Sequence, residues 1–395
     1  MITIDSINIR NQKVLMRVDF NVPIEHEVIK DNFRIQAALP SIEHCLNNRA
    51  SVILMSHLGR PKGKRNSELS LIPVGEYLSD YLQKPVKFSN SCISKDAIAV
   101  SKNLLPGEVH LLENLRFYPG ETENDSGFSH QLAKHGTVYI NDAFGTAHRA
   151  HASNVGVVKY FKTKGIGFLM KSEYDFLFNA IQNPVRPLVI ILGGAKIGTK
   201  LKLIHRFLKE ADDIIIGGAM AFTFLKAKGF KIGKSLFEND LMETAKDIMK
   251  KSKLLNVTIQ LPEDFIVAKS LSITSEITEK ILEDFNNDEI GFDIGTITLN
   301  KFLKVINKGR TVVWNGPMGV FEDPRFRQGT VGIADAVGKV NERGGLSIIG
   351  GGDTAAVIRD LNMMSSMSHI STGGGASLEL LAGKKLPALS VLEGV

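Results

Sequence analysis

The sequence predicts an α/β protein of two Rossmann-like domains, each a parallel sheet between helices in three layers, joined by a hinge helix. Three observations predict it: short continuous apolar runs, amphipathic stretches that alternate with them, and one helix-like stretch near the middle that prolines close. Continuous apolar runs are typical of strands buried on both faces, as in parallel sheets. Strands that alternate with helices favour βαβ units, whose crossovers make a sheet parallel.

The apolar runs fall into two groups, one in each half of the chain. The predicted strands are 14–19, 52–56, 109–113, 138–142, 188–192, 214–217, 311–314 and 346–349. The predicted helices between them include 33–46, 73–82, 201–210, 241–251 and 329–340.

The boundary between the two groups is a helix-like stretch at 168–182. Pro184 and Pro187 follow it, and proline cannot continue a helix. We therefore predict an N-terminal domain at 1–167, an inter-domain helix at 168–184 and a C-terminal domain at 185–377.

Composition and charge limit the partners and the cellular compartment that we expect for this protein. The net charge of +6 allows nucleic acid, a membrane surface or small anions as partners. The longest basic cluster, at 60–65, is interrupted by proline and glycine and lacks interleaved aromatic residues. Cys45 and Cys92 show no metal-ligand spacing, and two cysteines build no disulfide framework. With no leader pattern and no apolar run of roughly 18 residues, we expect a cytoplasmic protein.

Arginines follow the predicted strands of the first half at the point where each strand ends. Arg17 lies in the last part of the first predicted strand, and Arg60, Arg116 and Arg149 lie shortly beyond the next three. The carboxyl ends of parallel strands are where open α/β sheets bind ligands. Guanidinium groups bind carboxylate and phosphate through paired hydrogen bonds, so this pattern predicts a basin for a small anion. The alternative for each arginine is a pair with a surface carboxylate.

Glycine clusters follow the predicted strands of the second half. They lie at 193–194, 217–218, 350–352 and 373–375, and each precedes a helical pattern. Backbone amides at a helix start favour anions, and glycine lets a phosphate approach closely. Lys196 and Lys200 add positive charge beside the first cluster, and Asp353 is a candidate Mg²⁺ ligand.

Several phosphate-site patterns are absent from the sequence. It contains no G-x-x-x-x-G-K-[ST] loop and no G-x-G-x-x-G after the first predicted strand. The set of motifs typical of protein kinases is also missing.

Nine motifs in order make the chain resemble the phosphoglycerate kinase family over almost its full length. They are RVDFNVP at 17–23, SHLGRP at 56–61, LLENLRFYPGE at 111–121, NDAFGTAHRAHAS at 141–153, GGAK at 193–196, GGAMAFTFL at 217–225, WNGPMGVFE at 314–322, GGGDT at 350–354 and STGGGASLE at 371–379.

The resemblance implies a role for each matching residue. On the substrate side, Arg17 would contact the transferring phosphoryl group, and Asp19 and Asn21 would hold the carboxyl end and hydroxyl of the substrate. The residues implied for the 3-phosphate are Arg34, His57, Arg60, Arg116 and Arg149. On the nucleotide side, the implied residues are Lys196, Lys200, Gly217, Gly218, Asn315, Pro317, Glu322 for the ribose, Gly351, Gly352, Thr354, and Asp353 for Mg²⁺ with the nucleotide phosphates. Gly373 and Gly374 would face the transferring group, so Arg17, Lys196, Gly351 and Gly374 are the implied catalytic residues.

The resemblance also implies a reaction, the reversible transfer of a phosphoryl group from 1,3-bisphosphoglycerate to ADP. Its carboxylate nucleophile is ionised at neutral pH, so no general base is needed. Substrate and nucleotide would bind to different domains, which must therefore close, with 168–182 and 373–375 as hinge candidates. The family further implies a monomer and a segment at about 378–395 that packs on the first domain.

Three positions depart from the commonest family pattern, and two other functions stay open. These positions are Thr199, Phe222 and Thr296. We expect them to affect nucleotide affinity and not the activity itself, since none of them replaces an implied catalytic residue. The alternatives are a kinase that acts on another carboxylic acid and a basic nucleic-acid-binding protein.

Overall fold

The computed structural model describes residues 1–393, apart from the side chains of residues 179–181. The chain divides into two compact units: residues 1–175 with the segment from Lys385 onward, and Phe176–Lys384. The helix at Phe168–Gln182 crosses from the first unit into the second. The predicted C-terminal segment at about 378–395 falls partly in each unit, and its residues 394–395 lie outside the described residues.

The first unit is built around strands that alternate with helices. Its elements are β1 (Lys13–Arg17), β2 (Ile24–Glu25), β3 (Val28–Ile29), α1 (Phe33–Asn47), β4 (Ser51–Met55), α2 (Ile72–Leu82), β5 (Val86–Ser89), α3 (Lys95–Lys102), β6 (Val109–Leu112), α4 (Pro119–Thr122), α5 (Ser126–Ala133), β7 (Val138–Asn141), β8 (Thr163–Ile166) and the crossing helix α6 (Phe168–Gln182).

The sheet of the first unit has the order β5-β6-β4-β1-β7-β8, and all its pairs are parallel. From β1 the chain runs outward through β4 to one side and later continues with β7 on the other. The strand order therefore reverses beside β1, which is where open α/β sheets leave a crevice for ligands. Arg17, the last residue of β1, pairs with Met55 of β4 and Asn141 of β7, so three strand ends meet there.

The second unit repeats this architecture with one addition. Its elements are β9 (Leu188–Leu192), α7 (Leu201–Phe207), β10 (Asp213–Ile216), α8 (Met220–Ala227), α9 (Met242–Leu254), β11 (Thr258–Gln260), β12 (Asp264–Ala268), β13 (Thr278–Ile281), β14 (Ile290–Ile294), α10 (Thr296–Ile306), β15 (Thr311–Asn315), α11 (Gln328–Glu342), β16 (Leu346–Ile349), α12 (Gly352–Asp360), β17 (His369–Ile370) and α13 (Gly375–Leu381). A last short helix, α14 (Pro387–Ser390), lies in the C-terminal segment that belongs to the first unit.

The main sheet of the second unit has the parallel order β11-β10-β9-β15-β16-β17. Its order reverses between β9 and β15, where Leu192 pairs with Asn315 at the carboxyl edge. A separate antiparallel sheet, β13-β12-β14, is the addition. The central strand β9 is buried at every position, and each such aliphatic side chain contributes about 1.5–3 kcal/mol to folding.

The predicted α/β class with two parallel sheets is confirmed. The eight predicted strands correspond to β1, β4, β6 and β7 in the first sheet and to β9, β10, β15 and β16 in the second. The prediction omitted the four edge strands, β5, β8, β11 and β17. An edge strand has a neighbouring strand on one side only, so it is less buried than a central strand. Sequences such as TKGI in β8 therefore carry polar residues and contain no continuous apolar run. Within residues 1–393, no helix combines the length and apolar character needed to cross a bilayer.

Candidate active site

Arg17 ends the central strand of the first sheet, and its guanidinium group is completely buried. The Nε atom donates to Ser153 Oγ at 2.8 Å, and Nη2 lies 3.2 Å from His57 Nδ1. Nη1 donates to the carbonyl oxygen of Val18. Each nitrogen of the guanidinium group therefore has a protein partner, which fixes the plane of the group.

The bond from Arg17 settles the protonation of His57. A guanidinium group can only donate, so His57 Nδ1 accepts and the ring proton lies on Nε2. Burial, and then the charges of Arg17, Arg116, Arg34 and Arg149, hold the pKa of His57 well below its usual range. Because His57 is neutral, its 3.7 Å approach to Asp19 Oδ1 is not an ion pair.

Asp19 and Asn21 are tied to the same strand edge by Arg34. The Arg34 Nη1 atom lies 3.2 Å from Asp19 Oδ2 and donates to the carbonyl oxygen of Asn21 at 3.1 Å. The side-chain oxygen of Asn21 accepts from the amide of Gly59 at 2.8 Å. Arg34 remains partly exposed, so a ligand can reach part of its side chain.

Arg116 and Arg149 complete the concentration of positive charge. Arg116 Nη1 donates to the carbonyl oxygen of Gly59 at 2.7 Å. Burial, and then Arg149 and Arg17, lower the pKa of Arg116 to about 10. Burial and the charges of Arg17, Arg116 and Arg149 also lower the pKa of His151 to about 4. This crowding of like charges around Asp19 favours an anionic ligand.

Arg60 differs from the other predicted basin residues. Its side chain is exposed, and no hydrogen bond or ion pair among the described residues links it to the cluster around Arg17. The structure brings together the other six predicted substrate residues with Arg17: Asp19, Asn21, Arg34, His57, Arg116 and Arg149.

In the second unit, Lys200 lies against the carboxyl end of β15. Its Nζ atom donates to the backbone oxygen of Asn315 at 2.7 Å and also to the side-chain oxygen of that residue. Lys200 is almost fully buried, and burial lowers its pKa to about 8 although Asp353 acts in the opposite direction.

Backbone hydrogen bonds join the glycine clusters at this edge. Gly194 N donates to the carbonyl oxygen of Pro317 at 2.9 Å, and Gly218 N donates to that of Met318 at 3.0 Å. Gly316 N donates to Thr354 Oγ1 at 2.6 Å. The indole of Trp314 donates to the carbonyl oxygen of Gly316 at 2.8 Å. Three predicted glycine clusters thus share one scaffold with the 314–318 loop.

Gly316 shows why this scaffold requires glycine. Its φ of +97° is a conformation that L side chains rarely adopt, and a Cβ atom there would lie 2.4 Å from the Gly193 carbonyl oxygen and 2.6 Å from Lys200 Nζ. A side chain at this position would therefore strain the backbone and collide with both the Gly193 backbone and the lysine.

The start of α12 presents open backbone and one carboxylate. Gly351 is the N-cap of this helix, and Asp353 lies exposed in its first turn. Within residues 1–393, no group of three or more His, Cys, Asp or Glu side chains could hold a metal ion unaided. A single accessible carboxylate fits Mg²⁺ that phosphates also coordinate, because this ion keeps several ligands from substrate and water.

Other predicted nucleotide residues lie around this scaffold. Gly373 and Gly374 follow β17, the strand beside β16, and Gly373 N donates to Ser371 Oγ at 3.0 Å. Gly217 follows β10, and a Cβ atom there would approach Met318 Sδ to 2.4 Å. Lys196 and Glu322 are exposed and make none of the hydrogen bonds that join these loops.

The prediction assigned no role to two buried residues behind Arg17, Ser153 and Glu121. Both lie inside motifs that carry the family resemblance, yet neither is distinguished by charge or spacing. Of the three unusual positions, Phe222 lies in the core, stacked on Phe265 with ring centroids 4.6 Å apart. The Thr199 hydroxyl group donates to the Lys196 carbonyl oxygen, and the backbone amide of Thr296 donates to Glu279 Oε1.

A sequence model described as phosphoglycerate kinase matches residues 4–384 of this chain. The chain belongs to the phosphoglycerate kinase family. The predicted family, the predicted fold class and the predicted kinase activity are thereby confirmed at the level of the family.

Individual phosphoglycerate kinases are similar over the whole chain. That of Prosthecochloris aestuarii is 47% identical over 391 residues, which cover 99% of this chain and 98% of the relative. That of Finegoldia magna is 46% identical over 393 residues, with coverage of 99% and 98%. The solved structure from Coxiella burnetii has a TM-score of 0.90 at 41% identity and covers 99% of this chain and 98% of its own. The structure from Pyrococcus horikoshii has a TM-score of 0.86 at 32% identity, with coverage of 100% and 98%.

Proposed function

We propose that this chain catalyses the reversible transfer of a phosphoryl group from 1,3-bisphosphoglycerate to ADP, which gives 3-phosphoglycerate and ATP in glycolysis and gluconeogenesis. The observation that carries the proposal is the concentration of four arginines around Asp19 at the carboxyl edge of the first sheet. A small acid with several negative charges is the ligand that such a group binds best.

On the substrate side, we assign the 3-phosphate to Arg34, His57, Arg60, Arg116 and Arg149. His57 supports this role as a neutral donor through Nε2, since its Nδ1 atom is occupied by Arg17. Asp19 and Asn21 would hold the hydroxyl and the carboxyl end, and Arg17 would act on the transferring phosphoryl group.

On the nucleotide side, the scaffold of the second unit supports binding of the ADP and ATP phosphates. Lys196, Lys200, Gly351, Gly352 and Thr354 would contact phosphates, and Asp353 would hold Mg²⁺. Bound Mg²⁺ would neutralise charge on the phosphates. The remaining assignments are Gly217, Gly218, Asn315 and Pro317 to the nucleotide, Glu322 to its ribose, and Gly373 and Gly374 to the helix start that faces the transferring group.

The chemistry needs positioning and charge stabilisation. The attacking carboxylate is already ionised at neutral pH, so Arg17, Lys196 and the amides of Gly351 and Gly374 would stabilise charge without any proton transfer. Direct transfer requires that substrate and nucleotide meet with water excluded. We therefore infer that the two units close during the reaction, with α6 and the stretch at 373–375 as hinges.

Two further properties belong to this proposal. Both cysteines are buried free thiols, which suits the reducing cytoplasm. We expect the enzyme to act as a monomer, because each ligand has its proposed residues within a single chain.

A coupled assay tests the function. The chain is given MgATP with 3-phosphoglycerate, acetate or aspartate, and a magnesium-free reaction with 3-phosphoglycerate serves as the control. Of these four reactions, we expect turnover only in the one that contains both 3-phosphoglycerate and MgATP. Equal or faster turnover of acetate or aspartate would assign the chain to another acid kinase activity.

A further inference from the structure

The crossing helix α6 takes its N-terminal cap from distant parts of the chain. The residue before it is Gly167, which has no side chain that could accept a hydrogen bond from the first turn. The Phe168 amide instead donates to Ser41 Oγ at 2.8 Å, and the Met170 amide donates to Asp142 Oδ1 at 2.9 Å. These acceptors lie 127 and 28 residues from the amides that they bind.

Two elements of the first unit supply the acceptors. Ser41 lies on α1, and Asp142 is the residue directly after β7. Both side chains are completely buried, so water does not compete for their bonds to the helix. The backbone amide of Asp142 also donates to the carbonyl oxygen of Arg17, the last residue of β1, at 2.8 Å. Asp142 therefore connects the start of α6 to the strand edge where the basin lies.

Gly167 leaves the space that the Asp142 carboxylate occupies. A Cβ atom on Gly167 would lie 2.3 Å from both Cγ and Oδ1 of Asp142. A serine or aspartate there, residues that often cap a helix, would displace this carboxylate. The sequence next to α6 thus excludes a local cap, and the fold supplies one from β7 and α1.

The Asp142 carboxylate also suits the positive end of the helix dipole. Burial raises the pKa of Asp142 to about 7, whereas hydrogen bonds from Ser41, Met170 and Leu169 act in the opposite direction. Two of these three donors are amides in the first turn of α6, where the helix favours a negative charge. The helix start therefore stabilises the ionised form of a carboxyl group that burial alone would keep neutral.

We propose that Asp142 and Ser41 are positioning residues that fix the first turn of α6 to the first unit during closure, an inference that rests on the proposed function. A helix that joins two moving units directs their closure only if its end is fixed within one of them. Without these bonds the first turn takes additional orientations, which add open arrangements that the closed enzyme does not share. The closed fraction then falls, and the rate of phosphoryl transfer falls with it.

The test compares four variants with the unmodified chain. Asp142→Ala removes one acceptor of the α6 amides, Asp142→Asn keeps an oxygen in its place, and Ser41→Ala removes the other acceptor. Asp125→Ala is the control, because Asp125 also accepts from a first-turn amide, that of Phe128 at 2.6 Å. It caps α5, however, which lies wholly within the first unit.

Four quantities are measured for each variant. They are the hydrogen exchange of the amides at 168–170, kcat, Tm, and the Kd values of 3-phosphoglycerate and ADP, each titrated alone. Hydrogen exchange reports on local opening without any turnover, so it tests the bonds to Asp142 and Ser41 whatever reaction the chain catalyses.

We expect Asp142→Ala to speed exchange at 168–170 about fivefold to tenfold, the effect of a lost helix cap. It should lower kcat about three- to tenfold and leave each Kd within about twofold, because each ligand has its proposed residues within one unit. Asp142→Asn should recover most of the rate, and Asp125→Ala should lower Tm without changing kcat. If Asp142→Ala fails to fold, Ser41→Ala is measured in the same way, with a loss of kcat of at least about twofold expected.

The outcomes separate this inference from the function on which it rests. Faster exchange with an unchanged kcat, or a loss of affinity as large as the loss of rate, overturns the positioning role alone. Unchanged exchange at 168–170 shows that these bonds do not hold the helix start, which also overturns it. An unmodified chain that is folded but inert with 3-phosphoglycerate overturns the proposed function, and the positioning role with it.

Discussion

The carboxyl edges of the two parallel sheets hold their candidate ligand sites in different ways. At the first edge the structure depends on charged side chains: Arg17 is joined to Glu121 through Ser153, and Asp19 pairs with Arg34. At the second edge it depends on the backbone, because hydrogen bonds between main-chain groups join the glycine loops around the buried ammonium group of Lys200. The first edge should therefore be most sensitive to loss of charge, and the second to any added atom.

The largest effect should come from Arg17→Ala at the charged edge. We expect kcat to fall about 10³-fold or more, as for arginines that stabilise phosphoryl transfer elsewhere. Substrate affinity should change less, because Arg34, Arg116 and Arg149 remain in the basin. Steady-state kinetics with calorimetric titration of 3-phosphoglycerate measures both, and an unchanged kcat would remove the catalytic role of Arg17.

Arg34→Ala should weaken binding of 3-phosphoglycerate about 10- to 100-fold, the loss expected for one or more charged hydrogen bonds. Arg60→Ala is the comparison, since Arg60 is exposed and makes no bond to the cluster. Its effect should be about tenfold or smaller, because an exposed side chain gives up more freedom to bind. Titration of both variants decides the order, and the reverse order would contradict the described arrangement of the basin.

At the backbone edge, Gly316→Ala should raise the KM for ATP about tenfold, because the added atom would collide with the Gly193 carbonyl oxygen and with Lys200. Gly229→Ala is a close control: Gly229 has φ +93°, close to the +97° of Gly316, but a Cβ atom there has no neighbour within 4 Å. Kinetics and thermal denaturation of both variants separate backbone strain from the collisions with Gly193 and Lys200. Equal effects on KM would show that the strained φ alone, and neither collision, changes nucleotide binding.

The smallest effect concerns pH at the same lysine. An anionic phosphate binds the protonated ammonium group, and burial lowers the pKa of Lys200 to about 8. Above that pH the free protein loses the proton, so binding must recover it. The Kd for ADP should rise about fourfold between pH 7 and 8.5, and this rise should be smaller in Lys200→Arg, since arginine stays charged. A Kd for the unmodified chain that does not change over this range would mean that Lys200 stays charged without ligand.

The two sheets also show what a sequence can and cannot reveal. The central strands could be predicted because strands such as β9 are buried on both faces and consist only of Leu, Val and Ile. The edge strands could not, because β11 and β17 are short and only half-buried. For them the hydrogen bonds to a neighbouring strand matter more than any apolar pattern.

The residues of the basin also differ in whether the sequence alone could predict them. The arginines that follow the strands were predictable, because parallel strands place their ends at one edge. The partners that hold them were not: Ser153 is 136 residues from Arg17 and 32 from Glu121. No local pattern marks a serine whose neighbours come from such distant parts of the chain. The roles assigned to individual residues remain predictions that the experiments above test.

The single tryptophan of the chain has a practical consequence. Trp314 is completely buried at the end of β15, and its indole N–H binds the carbonyl oxygen of Gly316, beside the bonds of Asn315 to Lys200. Since the chain has no second indole, fluorescence excited at the red edge of the absorption band, where the six tyrosines do not absorb, reports on this loop alone. Rapid-mixing measurements can therefore follow events at the second sheet edge in the unlabelled protein.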